Sequence, residues 1–239
     1  MHLFEVIVVL HVLAGATGLI AFWAPIVSRK GGKVHRRWGD VAARALMVAG
    51  GLAIAMALLS LYGPEQRLPM IKDRALFAGL FGWMMLYLGL LTIGFADYGL
   101  AVARYRSSRM ELRGLRHQAL FAVVLASAIN CGVVGFTLSQ PLMMLVAAIG
   151  LIAMLTQLFY IWAPSVQPRA YIQQHFRSLL GMGISAYTAF LSVGLIRLVP
   201  DHVFNPLIWA VPSIVGVSLI IVFTIRTAPP RKVSAASSR

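Results

Sequence analysis

The sequence predicts an all-α, polytopic membrane protein with seven transmembrane helices. Of its 239 residues, 59% are hydrophobic and only 12% are charged, whereas soluble domains carry about 25% charged residues. A helix needs about 20 predominantly apolar residues to cross the hydrocarbon core. The apolar runs of this chain have that length and lack the alternation of a β-barrel strand. With a single cysteine, the composition excludes a soluble globule, a disordered chain and a disulfide scaffold.

Seven apolar runs have the length of a spanning helix. In chain order they cover residues 3–27, 41–63, 74–95, 118–138, 142–163, 179–199 and 208–226. The first run lacks a basic leader and exceeds the core of a signal peptide, which favours a retained helix. We therefore predict a seven-helix transmembrane domain over residues 1–227, followed by a disordered, basic cytoplasmic tail over residues 228–239.

The net charge of +14 lies mainly in alternate loops. Sixteen of the 21 basic residues follow the first, third, fifth and seventh runs. Because Lys and Arg favour cytoplasmic loops, this pattern predicts an N-terminus outside and a C-terminus in the cytoplasm. We expect a bacterial inner membrane and anionic lipid head groups on the basic face, with no nucleic-acid partner. A membrane-protein partner or a homo-oligomer is left open.

Two loops share a short repeat. Trp-Ala-Pro occurs at residues 23–25 and again at 162–164, and His35 and His175 follow the two prolines by ten and eleven residues. His117, preceded by an arginine, begins the fourth run in the same way. Because the matched segments are separated by an even number of spans, they indicate a parallel repeat of helix pairs.

These motifs resemble those of a bacterial family of predicted membrane proteins, the domain-of-unknown-function family numbered 2306. The resemblance rests on His11 in the first run, His-Arg-x-x-Gly at residues 35–39 and His-x-Arg-Ser at residues 175–178. Arg37 stands where members more often have an aromatic or aliphatic residue. The resemblance implies a polytopic membrane protein and no particular activity.

His11 is the most conspicuous residue within a predicted span. At 1.5 Å per residue, it lies about 12 Å from the outer end of the first run. An ionisable side chain inside the bilayer is costly, and by default it indicates a functional site. His11 is a candidate haem ligand, proton relay or ligand contact. The alternative is a neutral imidazole that is hydrogen-bonded to a neighbouring helix.

Three further histidines share one depth, at the predicted cytoplasmic boundary: His35, His117 and His175. If the second, fourth and sixth helices adjoin, these imidazoles could converge. Three imidazoles suit a transition metal and two suit haem iron, with Asp40 or Asp97 as an additional carboxylate. The alternative is that each histidine only helps to orient its helix at the interface.

Arginines beside the histidines are candidate clamps for a haem propionate or another anion, because the guanidinium fork matches such groups. Arg36 and Arg177 adjoin His motifs, and Arg44 lies one turn inside the second run, where it could snorkel or face the bundle interior. Their alternative role is contact with anionic lipid. Asn130 and Gln157 lie deep in predicted spans and need hydrogen-bond partners.

The favoured function is a redox or electron-transfer module that binds haem or a transition metal through histidines. A small transporter and a non-catalytic accessory protein are the alternatives. Phosphate loops, metalloprotease motifs, haem-attachment motifs and nucleophile elbows are absent from the sequence, so hydrolase and kinase functions have no support. No residue is assigned a catalytic role.

Overall fold

A computed structural model describes residues 2–63, 73–191 and 206–228. Over these residues the protein is 88% helical and contains no strand. Six helices of the described part are long and apolar enough to cross a membrane, at Leu3–Val27, Lys33–Tyr62, Arg74–Arg104, Leu115–Thr137, Pro141–Trp162 and Ala210–Thr227. The prediction of an all-α protein is confirmed, and the six apolar helices support a multi-pass membrane protein.

The sixth of the seven predicted spans has no counterpart among these six. Residues 179–199 overlap a helix at Ala170–Ala189, and the remainder of that span continues outside the described ranges. The first turns of this helix are polar, with Gln, Gln, His and Arg within eight residues, which lowers its mean hydropathy. The predicted tail, from residue 229 onward, also lies outside the described residues.

The helices are numbered in chain order. They are α1 (His2–Val27), α2 (Lys33–Tyr62), α3 (Arg74–Arg104), α4 (Leu115–Thr137), α5 (Pro141–Trp162), α6 (Ala170–Ala189) and α7 (Pro206–Thr227). A short 3-10 turn at Arg109–Arg113 joins α3 to α4. Asp73 caps α3, because its carboxylate accepts hydrogen bonds from the backbone N–H groups of Ala75 and Leu76.

Two helices extend beyond the predicted apolar runs. α2 begins at Lys33 rather than at residue 41, and α3 continues to Arg104 rather than ending at residue 95. The apolar run marks only the part of a helix that can lie in hydrocarbon, whereas polar residues continue the same helix into the interface. As a result, His35 lies in the first turn of α2 and Asp97 lies within α3.

α3 is the central helix of the bundle. More than half of its most apolar window is buried (56%), against 28% or less for the other five candidate spans. α2, α4 and α6 pack directly against it, while α1, α5 and α7 pack on α2, α4 and α6 respectively. A π-helical segment, Ala78–Met84, interrupts α3 near its beginning.

α2 and α3 cross at a pair of glycines. A Cβ atom added to Gly50 would lie 2.9 Å from the carbonyl oxygen of Gly89, and one added to Gly89 would lie 2.8 Å from that of Gly50. The absence of both side chains therefore allows the two backbones to approach, as small residues do between membrane helices.

Tyr87 of α3 inserts its ring into α5. The side chain is fully buried, and its hydroxyl donates a hydrogen bond to the carbonyl of Val146 at 3.1 Å. A Cβ atom at Gly150 would lie 1.7 Å from that hydroxyl oxygen. The phenol therefore occupies the space that a side chain at position 150 would need.

Candidate functional site

Most of the basic side chains lie at the end of the bundle where α1, α3 and α5 finish and α2, α4 and α6 begin, which we call the basic end. Lys30 donates a hydrogen bond to the carbonyl of Pro25 at 2.9 Å, and Arg109 donates to that of Ala163 at 2.8 Å. Burial and the nearby positive charge of Arg226 lower the pKa of Lys30. Carbonyls at helix C-termini have no partner within the helix and carry partial negative charge. These cations therefore stabilise the ends of α1 and α5.

Two histidines meet at the basic end. The ring centres of His35 and His175 are 6.3 Å apart, and their planes are inclined by 58°. The Nδ1 atom of His35 lies 3.1 Å from the carbonyl oxygen of Pro25, and that of His175 lies 2.7 Å from the carbonyl oxygen of Gly99. Because a carbonyl only accepts, each Nδ1 carries the proton in these hydrogen bonds. In a neutral ring the Nε2 atom then holds the lone pair.

This arrangement suits ligation of a metal by two imidazoles. A histidine ligand typically donates its other ring N–H to a carbonyl or carboxylate, which fixes the tautomer and the ring orientation. Each ligating nitrogen lies about 2 Å from the ion, so the centres of two imidazoles on opposite sides of one ion are about 6 Å apart. The ring centres of His35 and His175 are separated by a distance of this size.

His117 forms a separate, buried cluster with Asp97. The Nδ1 atom of His117 lies 2.8 Å from one oxygen of the Asp97 carboxylate, and the guanidinium of Arg116 donates to the other oxygen. His117 and Asp97 have exposures of 7% and 8%, whereas most of the Arg116 side chain is exposed. Because the carboxylate only accepts, the Nδ1 atom of His117 carries a proton in this hydrogen bond. The cluster also ties the beginning of α4 to α3.

α3 separates this cluster from the histidine pair. Asp97 contacts His117 of α4. A Cβ atom added to Gly99 would instead lie 2.8 Å from the side chain of Leu179 on α6. Residues two positions apart on a helix point in nearly opposite directions, since each residue turns the helix by about 100°. His117 and His175 therefore contact α3 from different sides.

The structure thus brings together two of the three predicted metal ligands. Among the residues that the structure describes, no three or more His, Cys, Asp or Glu side chains form a group that could hold a metal ion. A metal site made by His35, His117 and His175 together finds no support in this arrangement. Their shared depth follows from the sequence, but the position of α3 between α4 and α6 does not.

His11 joins α1 to α2 within the apolar part of α1. Its Nδ1 atom lies 2.9 Å from the carbonyl oxygen of Ala49. It is 16 residues from the end of α1 at Val27, or about 24 Å along the helix axis, and so it is far from the histidine pair. This contact agrees with the alternative that the sequence left open, a histidine hydrogen-bonded to a neighbouring helix.

The predicted arginine clamps are all exposed. Arg36 adjoins His35, and Arg177, two residues after His175, donates a hydrogen bond to the hydroxyl of Thr224 at 3.3 Å. Arg44 has 72% of its side chain exposed and pairs with Asp40 at 2.9 Å, one helical turn earlier. Arg44 therefore points away from the bundle interior, and only Arg36 and Arg177 lie close in sequence to the pair.

A cavity of about 250 Å³ lies between α3, α5, α6 and α7. Its walls are mainly apolar, with polar groups from one face of α6 and from Thr156, Gln157 and Ser213. Gln157 and Arg177 are the lining residues that the sequence analysis identifies. The α6 residues Gln174, Ser178, Ser185 and Thr188 are spaced by four, seven and three positions, the spacing of one helical face. That polar stripe is the sequence signal for this region.

No protein-family model, no curated protein and no solved structure matches the chain. The resemblance to the family numbered 2306 therefore stays a prediction carried by the histidine motifs.

Proposed function

We propose that this membrane protein binds haem through His35 and His175 and takes part in electron transfer within the membrane. The observation that carries the proposal is the pair itself: two imidazoles with ring centres 6.3 Å apart, each with its Nδ1–H held by a backbone carbonyl. Two imidazoles would suffice to hold haem iron, whereas a structural zinc site needs four ligands. The pair therefore fits haem better than zinc.

The residues around the pair support this choice. Arg36 and Arg177 each follow a histidine of the pair by one or two positions and are exposed. Guanidinium groups bind carboxylates in a bidentate manner, so these two arginines would hold the haem propionates. When bound, haem would supply one-electron transfer, and the two histidines that hold it would help to set its redox potential. The protein's part is to fix the two imidazole tautomers and to orient the rings.

The proposal includes a location and an orientation. The six apolar helices support a bilayer environment, and the clustered Lys and Arg residues favour a cytoplasmic basic end. We infer a bacterial inner membrane, with the histidine pair at its cytoplasmic boundary. Exposed arginines at this end would contact anionic lipid head groups.

An absorption spectrum of the purified protein tests the proposal. In mild detergent we expect a Soret band that shifts on addition of dithionite, and iron at about one equivalent. H35A and H175A are each expected to lose the band, because one axial ligand is removed. H11A and H117A are matched controls that should keep it, since neither residue belongs to the pair.

The spectrum has two outcomes that would contradict the proposal. One is the absence of both a Soret band and bound iron after expression with haem precursor. The other is a band that survives H35A and H175A but disappears in H11A or H117A, which would assign the ligands elsewhere.

A further inference from the structure

Gln157 of α5 reaches the cavity between α3, α5, α6 and α7 with an amide whose orientation is fixed. Ser178 donates its hydroxyl proton to the carbonyl of Phe95 at 2.7 Å. The Ser178 oxygen can therefore only accept from Gln157, and it lies 3.3 Å from the Nε2 atom of that side chain. The neighbouring hydrogen bond thus identifies which end of the amide is nitrogen.

The other end of the amide has no partner. The Oε1 atom of Gln157 is buried and accepts no hydrogen bond from any residue in the described ranges. The whole residue is only 5% exposed, and it lines the cavity. A buried acceptor without a donor is unfavourable, and native proteins rarely leave one unexplained. A group that donates a hydrogen bond to this oxygen would remove that penalty.

The cavity walls indicate the chemistry of the compound that would carry this donor. They are formed largely by aliphatic side chains and Phe95. The polar side chains that line the cavity besides Gln157 are Thr156, Gln174, Arg177, Ser185, Thr188 and Ser213. Pockets of this kind bind compounds with an apolar body and a few placed polar atoms. A volume of about 250 Å³ accommodates a substituted ring, and the surrounding bilayer supplies compounds that dissolve in lipid.

We propose that this cavity binds a lipid-soluble phenol or quinol, whose hydroxyl donates a hydrogen bond to Oε1 of Gln157. A quinol differs from its quinone in the required property, because the quinol donates and the quinone only accepts. At Oε1 of Gln157, the quinol is therefore favoured over the quinone. The proposal depends on the cavity and on Gln157, and it holds whether or not the histidine pair binds haem.

Binding of a quinol and its quinone, each with a short alkyl tail, tests this inference. The protein is placed in nanodiscs of phosphatidylcholine, whose head group has no O–H or N–H donor that could fill the site. We expect the quinol, kept under reducing conditions, to bind at least tenfold more tightly than the quinone. Q157L should abolish that preference, because it removes the acceptor at nearly the same volume.

Two variants serve as controls. Q118L makes the same substitution in α4, where Gln118 donates to the carbonyl of Leu112 and does not line the cavity; it should keep the preference. A153F fills the cavity while leaving Gln157 in place, and it should remove binding of both compounds. If Q157L fails to fold, A153F still tests the location.

Three results would overturn the inference. They are equal binding of quinol and quinone by the wild type, a preference that persists in Q157L, and no saturable binding of either compound. The last would mean that only water occupies the cavity.

Discussion

Asp97 is the buried carboxylate on which two side chains of α4 converge. His117 donates to one of its oxygens and Arg116 to the other. A buried hydrogen-bonding group that loses its partner retains the full cost of desolvation. The contribution of Asp97 to stability therefore depends on its position inside the helix bundle.

We predict that D97A lowers the free energy of unfolding by about 1–3 kcal/mol, since the Nδ1–H of buried His117 would lose its acceptor. D97N should lose less, because the amide oxygen still accepts. Cys131, the only cysteine of the chain, is fully buried, so its reaction with a fluorogenic maleimide during heating reports unfolding directly.

D40A is the matched control for D97A. Asp40 also pairs with an arginine on a helix, but its partner Arg44 is 72% exposed, and exposed pairs of this spacing contribute about 0.3–0.5 kcal/mol. An equal loss of thermal stability in D40A and D97A would contradict the assignment of Asp97 as a buried anchor.

At the scale of residues, the sequence identifies the histidines better than it identifies their partners. The recurrence of His35 and His175 after Trp-Ala-Pro is visible in the sequence. Their hydrogen-bond acceptors are the carbonyls of Pro25 and Gly99, and a backbone carbonyl leaves no sequence signal. For the same reason, the free oxygen of Gln157 becomes evident only once Ser178 is placed.

At the scale of elements, α2 and α3 cross with their backbones close together at Gly50 and Gly89. Gly50 and Gly51 are adjacent glycines, but their surroundings differ. A Cβ atom on Gly50 would meet the Gly89 backbone at 2.9 Å, whereas one on Gly51 would meet nothing within 4 Å.

We predict that G50A destabilises the protein by about 1–3 kcal/mol, because overpacking forces the two helices apart. G51A should be neutral or stabilising, since alanine forms helix better than glycine by about 0.8–1.0 kcal/mol. Thermal exposure of the Cys131 thiol measures both variants. Equal stabilisation by the two substitutions would show that the α2–α3 contact is looser than the structure indicates.

The existence of the helices could be predicted from hydropathy, but their ends could not. Lys33–Asp40 is the polar beginning of α2, and Asp97 lies in the final part of α3. Hydropathy is low in both stretches although the backbone stays helical. α2 begins eight residues before its predicted apolar run, and α3 ends nine residues after its own. Both differences arise because the helices continue past the hydrocarbon core.

At the scale of the whole molecule, the fold class follows from composition because so much apolar surface requires lipid. The order of packing does not follow from it. That α3 lies in the centre, between α2, α4 and α6, depends on which helix faces carry glycines and fitted side chains. This order also decides which of the predicted histidines can meet.

Reporter fusions test the orientation and the number of spans. We expect a fluorescent protein joined after residue 167 or after residue 228 to fold in the cytoplasm, and alkaline phosphatase joined after residue 139 to be active outside. Because residues 167 and 228 are both expected in the cytoplasm, the chain must cross the membrane twice between residues 170 and 227. Active phosphatase at residue 228, with the other fusions unchanged, would instead indicate a single crossing there and six spans in all.

The insertion of Tyr87 against Gly150 places a constraint on how this protein can change over evolutionary time. The hydroxyl of Tyr87 fills the volume of a side chain at position 150 and also binds the Val146 carbonyl. Any larger residue at position 150 must therefore be accompanied or preceded by a smaller one at position 87. Although they are 63 positions apart in the chain, the two sites share one volume, and we expect them to change together.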